Sequence, residues 1–405
     1  MRLNSDPDRQ PAFLSYGFRP FFLLAGLYAA LAIAAWAGWL LIHDIPGVLV
    51  TPTFSVAPHH WHGHEMIHGF AVAVISGFML TAVPSWTGAR RIAGTPLLAL
   101  ALLWLAGRLA MWFSAALPVW LVAAADLAYL PVFAAMVVGG LMVRPAPRNL
   151  VFLVFLLLLA AANGFIHAEW AGLADDMASR ALSFSVHLLA LMVALIGGRI
   201  IPGFTRNALI MREPGAVLPR SFAWLDRMAL GLLAALAACV ALGIGGWIAG
   251  VLAAGAALAH LARLSFWRGG ATLRTPLLWS LHLAYGLLGV ALAAIAAAHV
   301  TDWIAPSAAQ HLMAIGGIGG MTLAVMTRAA LGHTGRPLVV GRMVALAYGL
   351  IAAAALVRSI APELFPRHYM TAILLAAVLW AAGFILFAII YFPVLTGPSI
   401  PKRGA

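Results

Sequence analysis

Charge is scarce in this chain, and cysteine is almost absent. Charged residues make up 9% of its 405 positions, against about 25% in a soluble domain. So few charges exclude an ordinary water-facing surface. The single cysteine, Cys239, excludes an intrachain disulfide, a CxxC metal site and a CxxCH haem attachment. Any metal must then rest on His, carboxylate, Met or Tyr, and any haem must be held non-covalently. Lysine is nearly missing as well: Lys402 is the one lysine among 24 basic residues. No polar stretch is long enough to fold as a soluble domain, the longest cytoplasmic loop being roughly Thr205 to Arg220.

What remains is overwhelmingly apolar. Hydrophobic residues reach 64% and the mean hydropathy is +1.00. In water that composition would expose far too much apolar surface; in lipid it is ordinary, because a span needs about 20 apolar residues. Runs bounded by Pro, Gly and Arg predict a single all-α integral membrane domain over 1–405 with about twelve transmembrane helices. They lie near 18–42, 64–87, 95–115, 118–143, 148–168, 181–204, 221–241, 244–264, 276–299, 306–330, 341–361 and 369–394.

The basic residues test that parse. Assigned alternately to the two sides, twenty fall on one side, from Arg2, Arg9 and Arg19 through Arg90, Arg91, Arg199 and Arg206 to Lys402 and Arg403. Three fall on the other, Arg180, Arg358 and Arg367, and Arg108 lies inside the third span. The positive-inside rule then places both termini in the cytoplasm. The formal net charge of +12 is thus a topology signal. It carries no aromatic–basic motif of the kind that would indicate nucleic acid.

His64, His187 and His311 are separated by 123 and 124 residues and open the second, sixth and tenth spans. FTRNAL (Phe204–Leu209) and MTRAAL (Met326–Leu331) close the sixth and tenth. Two readings stand: three four-helix units, about 18–143, 148–264 and 276–394, or a coincidence of evenly spaced spans.

The richest segment is PHHWHGHEMIHG, Pro58–Gly69. Pro58 suits the first turn of a helix. His60, His64 and His68 then form one stripe at i, i+4, i+8, while His62 points to another side and Glu65 follows. Imidazole is a ligand for Cu, Zn and Fe, and a carboxylate such as Glu65 orients a ligating ring or relays protons. His59 and His60 read as wet interfacial residues. His64 and His68 precede a long apolar run and read as functional. His167, after Asn163, ends the fifth span. His187 and His311 lie just inside the sixth and tenth, and His282 sits in the ninth near Tyr285. Ionisable groups at membrane depth are costly and mark pathways, relays or ligand sets, so these residues point to a metal or haem site in the outer half. Arg108 either snorkels, pairs with Asp126 or holds a haem propionate. Gly316–Gly320 reads as close helix packing.

GFRPFF (Gly17–Phe22), WHGHEM (Trp61–Met66), GFMLTAVPSWTG (Gly77–Gly88), GGRIIPGFTRN (Gly197–Asn207), LHLAYG (Leu281–Gly286) and HLMAIGGIGGMTLAVMTRAALGHTGRPL (His311–Leu338) together resemble the NnrS family. These are haem- and copper-containing proteins of the bacterial inner membrane linked to nitric oxide response. The resemblance runs in order over most of the chain. It implies bound haem and copper and a role with nitric oxide in denitrification or nitrosative stress. Residue by residue it points to His62, His64, Glu65, His167, His282, His311 and His333. His68 stands where the family more often has an apolar residue. The architecture is also similar to the catalytic subunit of haem-copper oxidases and nitric oxide reductases, although the seventh span here has no histidine.

These readings give a set of expectations. Haem of b type would take His64 and His311 as axial ligands, with Arg108 on a propionate. Copper would take His62, His167 and His187, and the wider metal-ligand set adds His68 and His282. Glu65 would tune a ligand or move protons as the catalytic group. Nitric oxide would be bound and reduced with electrons from quinol, in a haem-copper-type oxidoreductase reaction. A metal or haem transporter or metallation chaperone, and a non-catalytic nitric oxide binder or sensor, are the alternative readings.

Overall fold

The computed structural model describes residues 11–45, 51–212 and 215–401. Arg2, Arg9, Lys402 and Arg403, counted above for topology, lie outside them. Among the described residues the regular structure is all helical.

Among the described residues twelve helices are long and apolar enough to cross a membrane: α1 Phe18–His43, α2 Pro58–Thr87, α3 Thr95–Trp112, α4 Val119–Met142, α5 Pro147–Trp170, α6 Ala178–Arg212, α7 Ala223–Leu242, α8 Gly246–Ser265, α9 Pro276–Val300, α10 Pro306–His333, α11 Arg342–Leu364 and α12 Pro366–Thr396. The chain is a multi-pass membrane protein. Proline stands in the first turn of α2, α3, α5, α9 and α10, where a missing N–H costs nothing. Gly88 and Gly243 close α2 and α7 in the left-handed conformation, the usual glycine stop. Large apolar side chains such as Trp120, Leu157, Leu258 and Ile389 point outward, as acyl chains require.

By its contacts the chain divides into two units, Met1–Leu182 with Ala329–Pro337 and Ala388–Ala405, and Ser183–Arg328 with Leu338–Phe387. The first holds α1 to α5. Within it α1 packs on α2, α2 on α4, α3 on α4, and α4 on α5. Its ends are tied by Arg19, whose guanidinium donates to the carbonyls of Leu395 at 3.0 Å and Gly397 at 2.6 Å and to Ser399 Oγ at 2.9 Å. These carbonyls terminate α12, so Arg19 caps it. In the same unit His333 packs on the rings of Tyr16 and Phe18, and Ile400 N donates to Thr334 O. In the second unit α8 packs on α7 and α9, and α10 on α9 and α11.

Three departures from uniform α-helix lie inside the spans. In α2, residues Glu65–Ala71 form a π-helical segment. In α10, Leu312–Gly319 do the same. Each begins at the residue after a histidine, His64 or His311, and each follows a short α-helical entry from a first-turn proline. Such wide turns are rare and concentrate at functional sites. His187 lies in an unbroken α-helix, so this echo joins α2 and α10 and leaves out α6. Finally, α4 breaks at Ala128, between helical stretches Val119–Leu127 and Tyr129–Met142. Of the twelve spans α2 is the most enclosed, with 89% of its apolar window buried against 28% for α7. It is the span around which the first unit is built.

Candidate metal centre

The alternation of spans sets the depth of this site. The chain enters α2 at Pro58, leaves α3 at Trp112, enters α4 at Val119 and leaves α5 at Trp170. Residues early in α2 and α4 and late in α3 and α5 therefore share one end of the first unit. His64, Arg108, Asp126 and His167 occupy those positions, and all four are buried.

Asp126, just before the α4 break, is the hub. Its Oδ1 pairs with Arg108 Nη2. Its Oδ2 lies 3.1 Å from His64 Nε2, 2.9 Å from His167 Nε2 and 2.7 Å from Asn163 Nδ2, which donates to it. Asn163 and His167 are one turn apart on α5 and so face the same way. Asn163 Oδ1 lies 3.0 Å from His64 Nε2. The approach of α3 to α4 depends on Gly107: a Cβ there would stand 3.2 Å from Asp126 Cα and 3.3 Å from Asp126 Oδ1. Small residues at such crossings let helices close up in lipid.

Glu65 sets the other side. It accepts from Arg108 Nη1 at 2.7 Å and from Tyr28 Oη, and its Oε1 lies 2.8 Å from His64 Nδ1. Arg108 thus bridges two carboxylates with its two arms, a geometry that a planar guanidinium provides and an ammonium does not. Tyr28 Oη accepts in turn from Trp112 Nε1 at 2.7 Å. Gly69 makes room for this, since a Cβ there would press on the Tyr28 ring and come within 3.3 Å of Arg108 Nη1. An apolar shell of Phe54, Trp61, Met111 and Val122, with Trp112 and Trp170 beside it, adjoins the group. The Trp170 ring lies 5.3 Å from that of His64 and 5.1 Å from that of His167.

His64, Asp126 and His167 each offer one ligand atom, and the three atoms lie within 4.8 Å of one another. Donors arranged tetrahedrally at about 2.0–2.1 Å from an ion stand roughly 3.3 Å apart, close to the 3.1 Å and 2.9 Å that separate Asp126 Oδ2 from the two imidazole nitrogens. The charges also favour a cation. With both carboxylates ionised and the imidazoles neutral, Glu65 and Asp126 would bring two negative charges against the one positive charge of Arg108, an excess of one negative charge. Uncompensated charge at membrane depth is expensive. Glu65 orients His64 through Nδ1 and leaves Nε2 toward the donor set, the carboxylate–histidine arrangement common behind metal ligands.

Of the residues singled out in the sequence, His64, Glu65, Arg108 and His167 meet here, and Arg108 does pair with Asp126. His68 is buried and its ring lies 4.9 Å from that of His64. His62 is turned away, stacked on Trp36 at 4.8 Å, and His60 bonds Ser179 Oγ at 2.7 Å. Asp126 was not read as a ligand, although a lone carboxylate inside the apolar fourth span was the signal for it. Tyr28 and Trp170 carried no signal beyond being aromatic.

His187, His282 and His311 belong to the second unit. His187 Nδ1 donates to Ser183 O at 2.8 Å, and its buried Nε2 has no hydrogen-bond partner among the described residues. His311 Nδ1 donates to Ser307 O at 2.6 Å. His282 spends both nitrogens on the fold, Nδ1 with Leu278 O at 3.0 Å and Nε2 with Trp267 O at 3.2 Å. A second buried polar group in this unit joins Asp226, Arg263, Tyr285 and His260. Arg263 Nε donates to Asp226 at 2.7 Å, and His260 Nδ1 lies 2.7 Å from Tyr285 Oη.

The family model described as "NnrS protein" matches residues 12–399. No curated protein matches the chain. The match takes in all twelve spans and every residue of the buried group above, and the chain belongs to the NnrS family.

Proposed function

We propose that this protein binds copper at His64, Asp126 and His167, binds haem in its second unit, and uses them to bind and reduce nitric oxide in a bacterial inner membrane, with both termini in the cytoplasm. The observation that carries the reading is the convergence of two imidazoles and one carboxylate inside a buried, ion-paired group.

Copper suits this donor set. Imidazole is a good ligand for it, and it stands at the top of the divalent affinity order. A monovalent copper ion would bring the group to neutrality, which a low-dielectric site favours. When bound, copper supplies a one-electron couple and a position for a small ligand. The chain's own residues do the rest. Glu65 holds the His64 ring, Arg108 holds both carboxylates apart, and Tyr28 and the tryptophan shell keep water from that side.

For haem, the pairing of His64 with His311 expected from the sequence is replaced by a different assignment. Both nitrogens of His64 face oxygen atoms of Glu65, Asp126 and Asn163, which suits a compact ion and leaves no face for a macrocycle. His187 and His311 each anchor Nδ1 on a backbone carbonyl, the tautomer that directs Nε2 to a ligand. They are the residues we assign to haem. His282, with both nitrogens occupied, is not assigned.

The test is cofactor analysis of the purified full-length protein. Wild type should contain copper and show a Soret band. His64→Ala, Asp126→Ala and His167→Ala should lose copper and keep the Soret band. His187→Ala or His311→Ala should do the reverse. Full copper retention with an unchanged copper spectrum in all three variants of the first set would overturn the assignment. Consumption of nitric oxide with a quinol donor, followed by electrode, separates a reductase from a passive binder.

A further inference from the structure

His68 has no role in the arrangement so far. It is 3% exposed, and neither ring nitrogen has a hydrogen-bond partner among the described residues. Burying a polar group unpaired is costly in any apolar medium, and one that persists calls for an unseen water, ion or ligand as its explanation.

Four other helical histidines of this chain show what His68 does not do. His43, His187, His282 and His311 each place Nδ1 on the carbonyl four residues back, at 2.6–3.0 Å. That is the simplest way to satisfy an imidazole inside a span. The residue four back from His68 is His64, and His68 itself lies inside the π-helical segment Glu65–Ala71 that begins after His64. The widened turn alters the relation between side chain and preceding carbonyl, and the His68 ring is spent beside His64 at 4.9 Å, tilted by 32°. It is not one of the three clustered donors. It therefore lies next to the centre without belonging to it, holding a free N–H and a free lone pair.

We infer that His68 is the hydrogen-bond donor of a small-ligand subsite beside the His64–Asp126–His167 centre. Its ligand is a two- or three-atom molecule that coordinates a metal at one end and accepts a hydrogen bond at the other, a class that includes nitric oxide, nitrite and azide. This rests on the metal reading above. The subsite adds to that reading the group that recognises the ligand's distal atom. An apolar residue at this position would fill the same volume and leave the ligand's far end unrecognised.

The experiment uses full-length protein loaded with copper and held in the cupric state, with azide as the probe. Copper content, the copper electron paramagnetic resonance spectrum and azide affinity are measured for wild type, His68→Leu and His68→Gln. In His68→Leu, copper content and the resonance spectrum should match wild type while azide affinity falls about tenfold, the loss expected for one hydrogen bond to a charged ligand. His68→Gln, which keeps a donor, should recover part of that loss. The azide stretching band of wild type should shift in deuterated buffer, and this readout stands even if the leucine variant does not fold. Unchanged azide affinity in His68→Leu, or a band insensitive to deuteration, would overturn the subsite. Loss of copper in both variants would make His68 a metal ligand and overturn it too. Wild type that takes up no copper would instead refute the metal reading on which it rests.

Discussion

Asp126→Asn isolates charge from shape. Asparagine keeps the volume and one carbonyl oxygen, so Asn163, His64 and His167 retain neighbours of the same size. With Glu65 ionised, the substitution takes the net charge of the buried group from minus one to zero. A monovalent cation about 3 Å from a unit charge, at an effective dielectric constant of about 20, gains about 5 kcal/mol. Part of that is offset, because the carboxylate no longer has to be held out of water. A net loss of about 3 kcal/mol, roughly a hundredfold in Kd, is the working figure. Glu65→Gln changes the charge by the same amount, but Glu65 reaches the donor set only through His64 Nδ1. An orienting partner of this kind contributes about tenfold to a hundredfold, so its effect should be the smaller. The assay is competition for cuprous ion against a chelator of known affinity, in detergent, on both variants and wild type. Equal losses in the two variants would mean that only net charge matters and that the ion does not rest on Asp126. No loss in Asp126→Asn would refute the argument altogether.

The remaining expectations concern how the group is held. Arg108→Lys should lower thermal stability by about 2 kcal/mol and weaken copper binding, because an ammonium cannot span Glu65 and Asp126 as the two guanidinium arms do; unfolding followed by intrinsic fluorescence would check it. Gly107→Val should separate α3 from α4 at Asp126 and cost copper without touching any ligand, measured as metal content after purification. Arg19→Ala should leave copper and haem in place and make the end of α12 exchange its amide hydrogens faster, since three carbonyls there lose their donor.

Depth was legible in the sequence, and rotation was not. Apolar runs and first-turn prolines located all twelve spans, because hydrophobic length and the missing proline N–H are properties of residues alone. The apolar run puts the end of the sixth span near 204, yet the helix runs on through Pro202 to Arg212. A proline breaks a helix only where its lost hydrogen bond cannot be tolerated. The break at Ala128 and the two π-helical segments left no pattern in hydrophobicity, since they arise from how neighbouring spans pack. Glu65, Arg108 and His167 were recognisable because ionisable groups inside a span are rare. Which of them meet depends on the face each helix turns inward, and Tyr28, packed against Gly69, could be placed only by the fold.

The contrast between His62 and His64 makes the point most directly. They are two residues apart on one turn, equally histidine and equally part of WHGHEM. One is half-buried and stacks on Trp36; the other is enclosed by Glu65, Asp126 and Asn163. About 200° of helical rotation separates them, so both cannot face the same carboxylates. The π-helical segment that starts after His64 then changes the phase of everything that follows it. A strict i, i+4 reading puts His68 directly above His64 as a second ligand of the same ion. With the wider turn between them, the ring instead comes to rest beside the donors with its nitrogens unclaimed. The π-helical segment is thus what separates a ring placed among the clustered donors from one placed beside them with both nitrogens unclaimed.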